Sequence, residues 1–325
     1  MANATMPKAT TSRRALFLLC EALLVLIPGL SARAEPPLFV SSRATPAGEY
    51  TFGIEGPAVD AAGTLFVVNF GKPGTIGKLV PGATQSEPFT ALPEGSVGNA
   101  IRFDRNGDMF IADYKKHTIF QIPKGDTEPK PLFVSEQFHQ PNDLTIAGDG
   151  TIYASDPYWK GRSGQIWRIT RAPDGTATGA VMTAARAMGT TNGIDLSPDG
   201  RTLYVGESGT GQIWAYTLQG NDLTNARLVT TFEPDTIDGI RTDVAGRLLV
   251  ARILRGMIAM VSPDGKVLRE IALQDKEPTN LAFGGEDGRT VFVTQRKGGY
   301  IETFRTDREG REHCLQAGRC QGVNP

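Results

Sequence analysis

Six polar residues stand at one position of an internal repeat: Glu55, Asn99, Asn142, Asn192, Asp238 and Asn280. Each precedes a glycine by eight residues (Gly63, Gly107, Gly150, Gly200, Gly246 and Gly288), and an apolar run follows every glycine. A residue at the same place in units arranged about an axis forms a ring. This ring would carry two carboxylates and four amides, an oxygen-rich set suited to a hard cation. Carboxylates taken out of water need a counter-charge, and one divalent cation would neutralise Glu55 and Asp238 together. Asn142 and Asn192 offer neutral carbonyl oxygens beside them. Ca²⁺ is preferred because it tolerates an irregular protein cage, with Mg²⁺ or Zn²⁺ as alternatives. Zinc would more naturally recruit His and Cys, yet His117, His139 and His313 have no ligand spacing.

The elements that must position this ring are short strands. Spacings between ring residues are 44, 43, 50, 46 and 42, a period at which repeated sheet units build propellers. After each turn comes a β-branched or aromatic run: 64–68, 108–112, 151–154, 201–205, 247–251 and 289–293. A third strand is expected at 118–122, 165–169, 212–216, 257–261 and 300–304, and a fourth at 131–134 and 226–230. The fold class predicted is therefore all-β, a six-bladed β-propeller. The last blade lacks chain for its outer strand, and residues 37–41 are expected to supply it, which leaves no open edge. At the end of the second strands stand Asn69, Asp113, Asp156, Glu207, Arg252 and Gln295. Such exit residues usually form turns; Asp156 is the one singled out for a further role.

The 325 residues are 40% hydrophobic with a net charge of −1, which excludes a general attraction to nucleic acid or anionic membranes. Lys8, Arg13 and Arg14 precede an apolar stretch from Ala15 to Leu30, and Ala32-Arg33-Ala34 follows. This reads as a signal peptide over 1–34, cleaved after Ala34, for a periplasmic or secreted protein. Ser12-Arg13-Arg14 also resembles a twin-arginine signal. Without that segment only Cys314 and Cys320 remain, an even pair that reads as a disulfide pinning a tail over 312–325. Nothing linker-like divides 35–311, which is expected to be one domain.

The segments Glu55-Gly-Pro, Pro141-Asn-Asp-Leu, Asn192-Gly-Ile-Asp-Leu, Asp238-Gly-Ile and Asn280-Leu-Ala-Phe resemble, in this order and spacing, the gluconolactonase/regucalcin family, which includes diisopropyl-fluorophosphatase-like hydrolases. The resemblance implies a six-bladed propeller with a catalytic divalent metal, usually Ca²⁺, on its axis. It implies that Glu55, Asn192 and Asp238 ligate the metal and that Asn142 ligates it or contacts substrate. Asp238 matches the residue that serves as general base or nucleophile. Sugar-lactone members carry an arginine two residues before the blade-three asparagine; here that place holds Gln140, so the sugar contact differs. The implied reaction is hydrolysis of a lactone or related ester, with Asn99, Asn142, Asn280 and Gln140 as substrate contacts. Tyr158, in a loop with Trp159, would be a pocket wall. Two other readings stand beside it: a phosphotriesterase-like hydrolase, and a non-catalytic binding propeller with a structural ion, since propellers host many functions.

Overall fold

The computed structural model describes residues 1–6, 37–233 and 236–320. The chain forms two units, Met1–Pro36 and Pro37–Pro325. In the first, residues 1–6 carry no helix or strand; the expected signal peptide and its cleavage site fall on 7–36, outside the described residues. Among the described residues no helix is long and apolar enough to cross a membrane.

The second unit is a six-bladed β-propeller made of six small antiparallel sheets. Blade one comprises Tyr50–Val59, Leu65–Phe70, Thr75–Leu79 and Glu87–Ala91; blade two Gly98–Phe103, Met109–Asp113, Thr118–Ile122 and Lys130–Val134. Blade three comprises Leu144–Ile146, Ile152–Tyr158, Ser163–Arg171 and Ala177–Val181; blade four Thr191–Leu196, Thr202–Glu207, Gln212–Gln219 and Asp222–Thr231. Blade four gains a fifth, parallel strand at Thr183–Ala184. Blade five has Ile240–Thr242, Leu248–Arg252, Met257–Val261 and Val267–Ala272, and blade six Pro278–Gly284, Thr290–Gln295 and Tyr300–Arg305.

The second strands read as continuous apolar runs because both faces of each sheet are covered by neighbouring blades. Ile101, Phe103, Met109 and Ile111 meet Phe66 and Val68 between blades one and two. Leu249, Leu281, Phe283 and Val291 do the same between blades five and six. Each run is launched by the expected turn, and all six turn glycines have φ between 67° and 89°. In blade two, Asp104 accepts backbone N–H bonds from Asn106 and Asp108, so the one left-handed position falls on Gly107, where no Cβ is strained.

The amino-terminal chain does close blade six, but not with the expected residues. Ser42 and Arg43 pair with Thr303 and Glu302, whereas Leu38 makes only an isolated bridge to Arg305. Pro37 has no N–H to give a ladder, and Phe39 turns the chain at φ 62°, so pairing starts only past 37–41.

The six strand-exit residues are all buried, and those of blades one to three clamp loops at the site. Asn69 donates to Gly53 O and Gly98 O, and Asp113 accepts from Val97 N and Lys115 N. Asp156 accepts from His139 N, Gln140 N, Gln165 Nε2 and Trp167 Nε1. Asp156 is therefore the holder of the loop that leads to Asn142.

The carboxy-terminal segment is more than a pinned tail. Helix Arg311–Gln316 starts inside the expected domain boundary and sends Arg311 into the propeller interior. There it donates to Thr145 Oγ1 and Asp195 Oδ1, while Glu312 pairs with Arg102 at 2.9 Å. The disulfide Cys314–Cys320 holds this helix. Cys320→Ser is expected to lower the unfolding free energy in urea by about 2 kcal/mol; no change would mean that the helix is held by Arg311 and Glu312 alone.

Candidate functional site

The ring residues lie where the innermost strands of the blades begin. Glu55, Asn99, Asn192 and Asn280 are within those strands, and Asn142 and Asp238 lie two residues before theirs. Backbone bonds fix the latter pair: Asn142 N–H donates to Ser155 O and Asp238 N–H to Ala251 O. Three ring residues are followed by glycine for a steric reason. A Cβ on Gly56 would collide with the Ala100 backbone, on Gly193 with the Asp238 backbone, and on Gly239 with Asn280. These glycines let neighbouring inner strands converge, and so bring the preceding side chains together around the axis.

Five of the six ring residues, Glu55, Asn99, Asn142, Asn192 and Asp238, line one cavity of about 680 Å³. Gln140 lines it as well, with Thr51, Phe52, Tyr114, Trp159, Thr279 and Arg296. Two expected substrate contacts are placed elsewhere. Asn280 is only 1% exposed; its amide oxygen accepts from Arg241 Nη2 and from Leu281 N–H, each at 2.9 Å. Asn280 thus lies beneath the cavity lining, between Arg241 and the Glu55 carboxylate that its side chain also hydrogen-bonds. Tyr158 ends a strand instead of sitting in a loop and stacks on His139 with ring centroids 4.8 Å apart; the wall residue is Trp159. The repeat pattern carried no sign of Tyr114 or Arg296, which belong to strand ends and loops that differ from blade to blade.

Below the cavity is a buried polar layer. Asp143 accepts from Arg102 Nη2 at 2.7 Å and from Arg241 Nη1 at 2.9 Å, and Arg311 pairs with Asp195 at 3.0 Å. With Glu312, three arginines face three acids. Burial pushes the Asp143 carboxyl up to about 7, against the pull of Arg102.

The ring acids have no such balance: among the described residues neither Glu55 nor Asp238 forms an ion pair with a basic side chain. Burial raises Glu55 to about 8 despite the hydrogen bond from Gly56 N–H. Asp238 is also raised well above the usual carboxylate range, first by burial and then by the Glu55 charge. A third ring residue, Asn192, carries an amide oxygen with no partner among the described residues. Ser208 donates its hydroxyl proton to Ile237 O at 2.6 Å, so it can only accept from Asn192 Nδ2, at 2.9 Å. The amide is thereby oriented, and Asn192 Oδ1 is left buried without a partner among the described residues. A buried acceptor in that state is costly.

Two unbalanced carboxylates and an orphaned, fixed carbonyl oxygen form a donor set that fits a divalent cation bound through oxygen. Among the described residues no three His, Cys, Asp or Glu side chains gather as a metal-binding group, so amide oxygens would have to complete the donor set. Because Ser208 sets the Asn192 amide, Ser208→Ala is expected to weaken the binding of a divalent cation held through that oxygen by about 10-fold or more, as losses behind a ligand do. Calorimetric titration would check this; unchanged affinity would show that something else orients Asn192.

The model of the SMP-30/Gluconolactonase/LRE-like region matches residues 54–297. The chain is 25% identical over 260 residues to a gluconolactonase of Zymomonas mobilis, covering 72% of this chain and 67% of that one. It is 30% identical over 158 residues to a 6-deoxy-6-sulfogluconolactonase of Pseudomonas putida, 46% of this chain and about half (53%) of that one. Among solved structures, regucalcin from Agrobacterium tumefaciens, described as a calcium-binding protein, superposes with a TM-score of 0.66 at 19% identity, over 83% of this chain and 97% of that one.

Proposed function

Because the chain belongs to the SMP-30/gluconolactonase/LRE-like family, we propose that it is a lactone hydrolase that works with a divalent cation, Ca²⁺ before Mg²⁺ or Zn²⁺. The observation that carries this is the convergence of Glu55, Asp238 and the free Asn192 Oδ1 on one cavity. Those three would hold the cation, with Asn142 beside them. The gluconolactonase and sulfogluconolactonase relatives support a lactone as substrate, and the calcium-binding regucalcin supports the choice of metal.

When bound, the cation would supply Lewis-acid polarisation of the lactone carbonyl. The remaining chemistry falls to side chains. Asp238 would hold a water and take its proton as the water oxygen attacks the carbonyl carbon. The ring C–O bond then breaks, the leaving alkoxide takes the proton back, and the product is a hydroxy acid. Asn99 and Gln140 face the same cavity and would bind substrate oxygens. Asn99 Nδ2 is tethered to Asn142 O at 3.2 Å, which keeps the two amides in register. Asp156, through the Gln140 N–H, fixes the loop that brings Gln140 to the wall. Phe52 and Trp159 line the cavity and would limit water around the ester. The amino-terminal sequence supports export, so the reaction would take place outside the cytoplasm.

The test is a lactone panel assayed with chelator and after Ca²⁺ is restored. Hydrolysis is expected to disappear and return, and the melting temperature to rise with Ca²⁺ as binding to the folded state requires. Turnover that ignores the chelator would overturn the cation-dependent reading. Turnover of phosphotriesters in place of lactones would move the chain to the other hydrolase class, and turnover of neither would leave a binding propeller.

A further inference from the structure

Arg296 is the one basic side chain among the described residues that line the cavity. It follows the last residue of strand Thr290–Gln295 and is anchored twice to Glu277. Its N–H donates to Glu277 O at 2.9 Å, and its Nε to Glu277 Oε2 at 2.9 Å. The face of the guanidinium lies over Phe52, 4.6 Å from the ring centroid. Phe52 is 65% exposed, and the guanidinium covers one part of its ring. Backbone, Nε edge and one face are thus held, while neither Nη group has a hydrogen bond among the described residues. Glu277 does not line the cavity; it grips the guanidinium from behind. The two Nη groups are left unbonded among the described residues, and their parallel N–H groups match the two oxygens of a carboxylate.

A divalent cation would offset Glu55 and Asp238, and Arg296, paired with Glu277 through Nε, keeps its two Nη groups able to hydrogen-bond an anion. Gln140, Asn99 and Tyr114 on the same wall are neutral donors that suit hydroxyls.

We infer that Arg296 is the binding site for a carboxylate carried by the substrate away from the reacting ester, so that the preferred lactones are those of dicarboxylic sugar acids. This rests on the lactonase reading and adds the substrate class. Glucaric acid monolactone and gluconic acid lactone form a suitable pair, since they differ by a carboxylate in place of a hydroxymethyl group. The Ca²⁺-loaded full chain is expected to favour the carboxylate-bearing lactone in kcat/KM by about 10- to 100-fold, as charge-assisted hydrogen bonds allow. Arg296→Met should bring that ratio close to one, with the loss in the KM of the carboxylate-bearing lactone. Glu277→Gln, which leaves the guanidinium but removes the charge behind it, should keep the ratio or raise it. A wild-type ratio near one, or a ratio that survives Arg296→Met, overturns the inference. If neither lactone is hydrolysed, the lactonase reading is decided by the wider lactone panel. Calorimetric binding of glucarate against gluconate, to wild type and to Arg296→Met, then still decides whether Arg296 selects the added carboxylate.

Discussion

Asp238→Asn is expected to reduce kcat/KM for lactone hydrolysis by about 10²- to 10⁴-fold, the range for removing a general base. The substitution keeps the size and both side-chain polar atoms, and the backbone bond from Asp238 N–H to Ala251 O does not depend on the side chain. The fold should therefore survive. The sign of the stability change gives a second readout. After burial, the Glu55 charge is what raises the hold of Asp238 on its proton, so neutralising Asp238 relieves a repulsion within the cation-free protein. The variant without Ca²⁺ should melt no lower than wild type, and the rise on adding Ca²⁺ should shrink. Near wild-type turnover would remove Asp238 from the mechanism. Lost turnover with an unchanged Ca²⁺ response would assign it as the base but not as a ligand.

Asp143→Ala should produce the largest loss of stability, about 3–5 kcal/mol in urea unfolding, the usual cost of breaking a buried ion pair from one side. Asp143 is fully buried and receives Arg102 and Arg241 together. Its removal leaves two guanidiniums in the interior facing only Glu312, Asn280 and backbone carbonyls. Cavity formation is a small part, since Ala keeps the Cβ. A loss below about 1 kcal/mol would mean that water enters and solvates the arginines. Because Asn280 also receives Arg241, Ca²⁺ affinity should change as well if the polar layer supports the ring above it.

Much of this protein is legible in one dimension. The turn glycines, the apolar runs and the polar residue eight positions before each turn recur because each blade repeats one local solution. A turn needing φ > 0 takes glycine whatever lies around it, and a strand covered on both faces is apolar throughout. Asp143 shows where that stops. It lies beside Asn142 in a segment read from the sequence, yet its partners Arg102 and Arg241 are 41 and 98 residues away. Arg311 joins Asp195 across 116 residues from a helix that looked like a tail.

By itself the sequence determined the six-bladed repeat, the ring of Glu55, Asn99, Asn142, Asn192, Asp238 and Asn280, and the oxygen chemistry that ring could offer, because periodicity and side-chain type are local properties. Only the tertiary structure decided which members face the cavity. It turned Asn280 down to Arg241, freed the Asn192 oxygen through Ser208, and set Arg296 on the wall against Phe52. Those outcomes depend on where an amide or a guanidinium points, and that direction is set by neighbours from other blades.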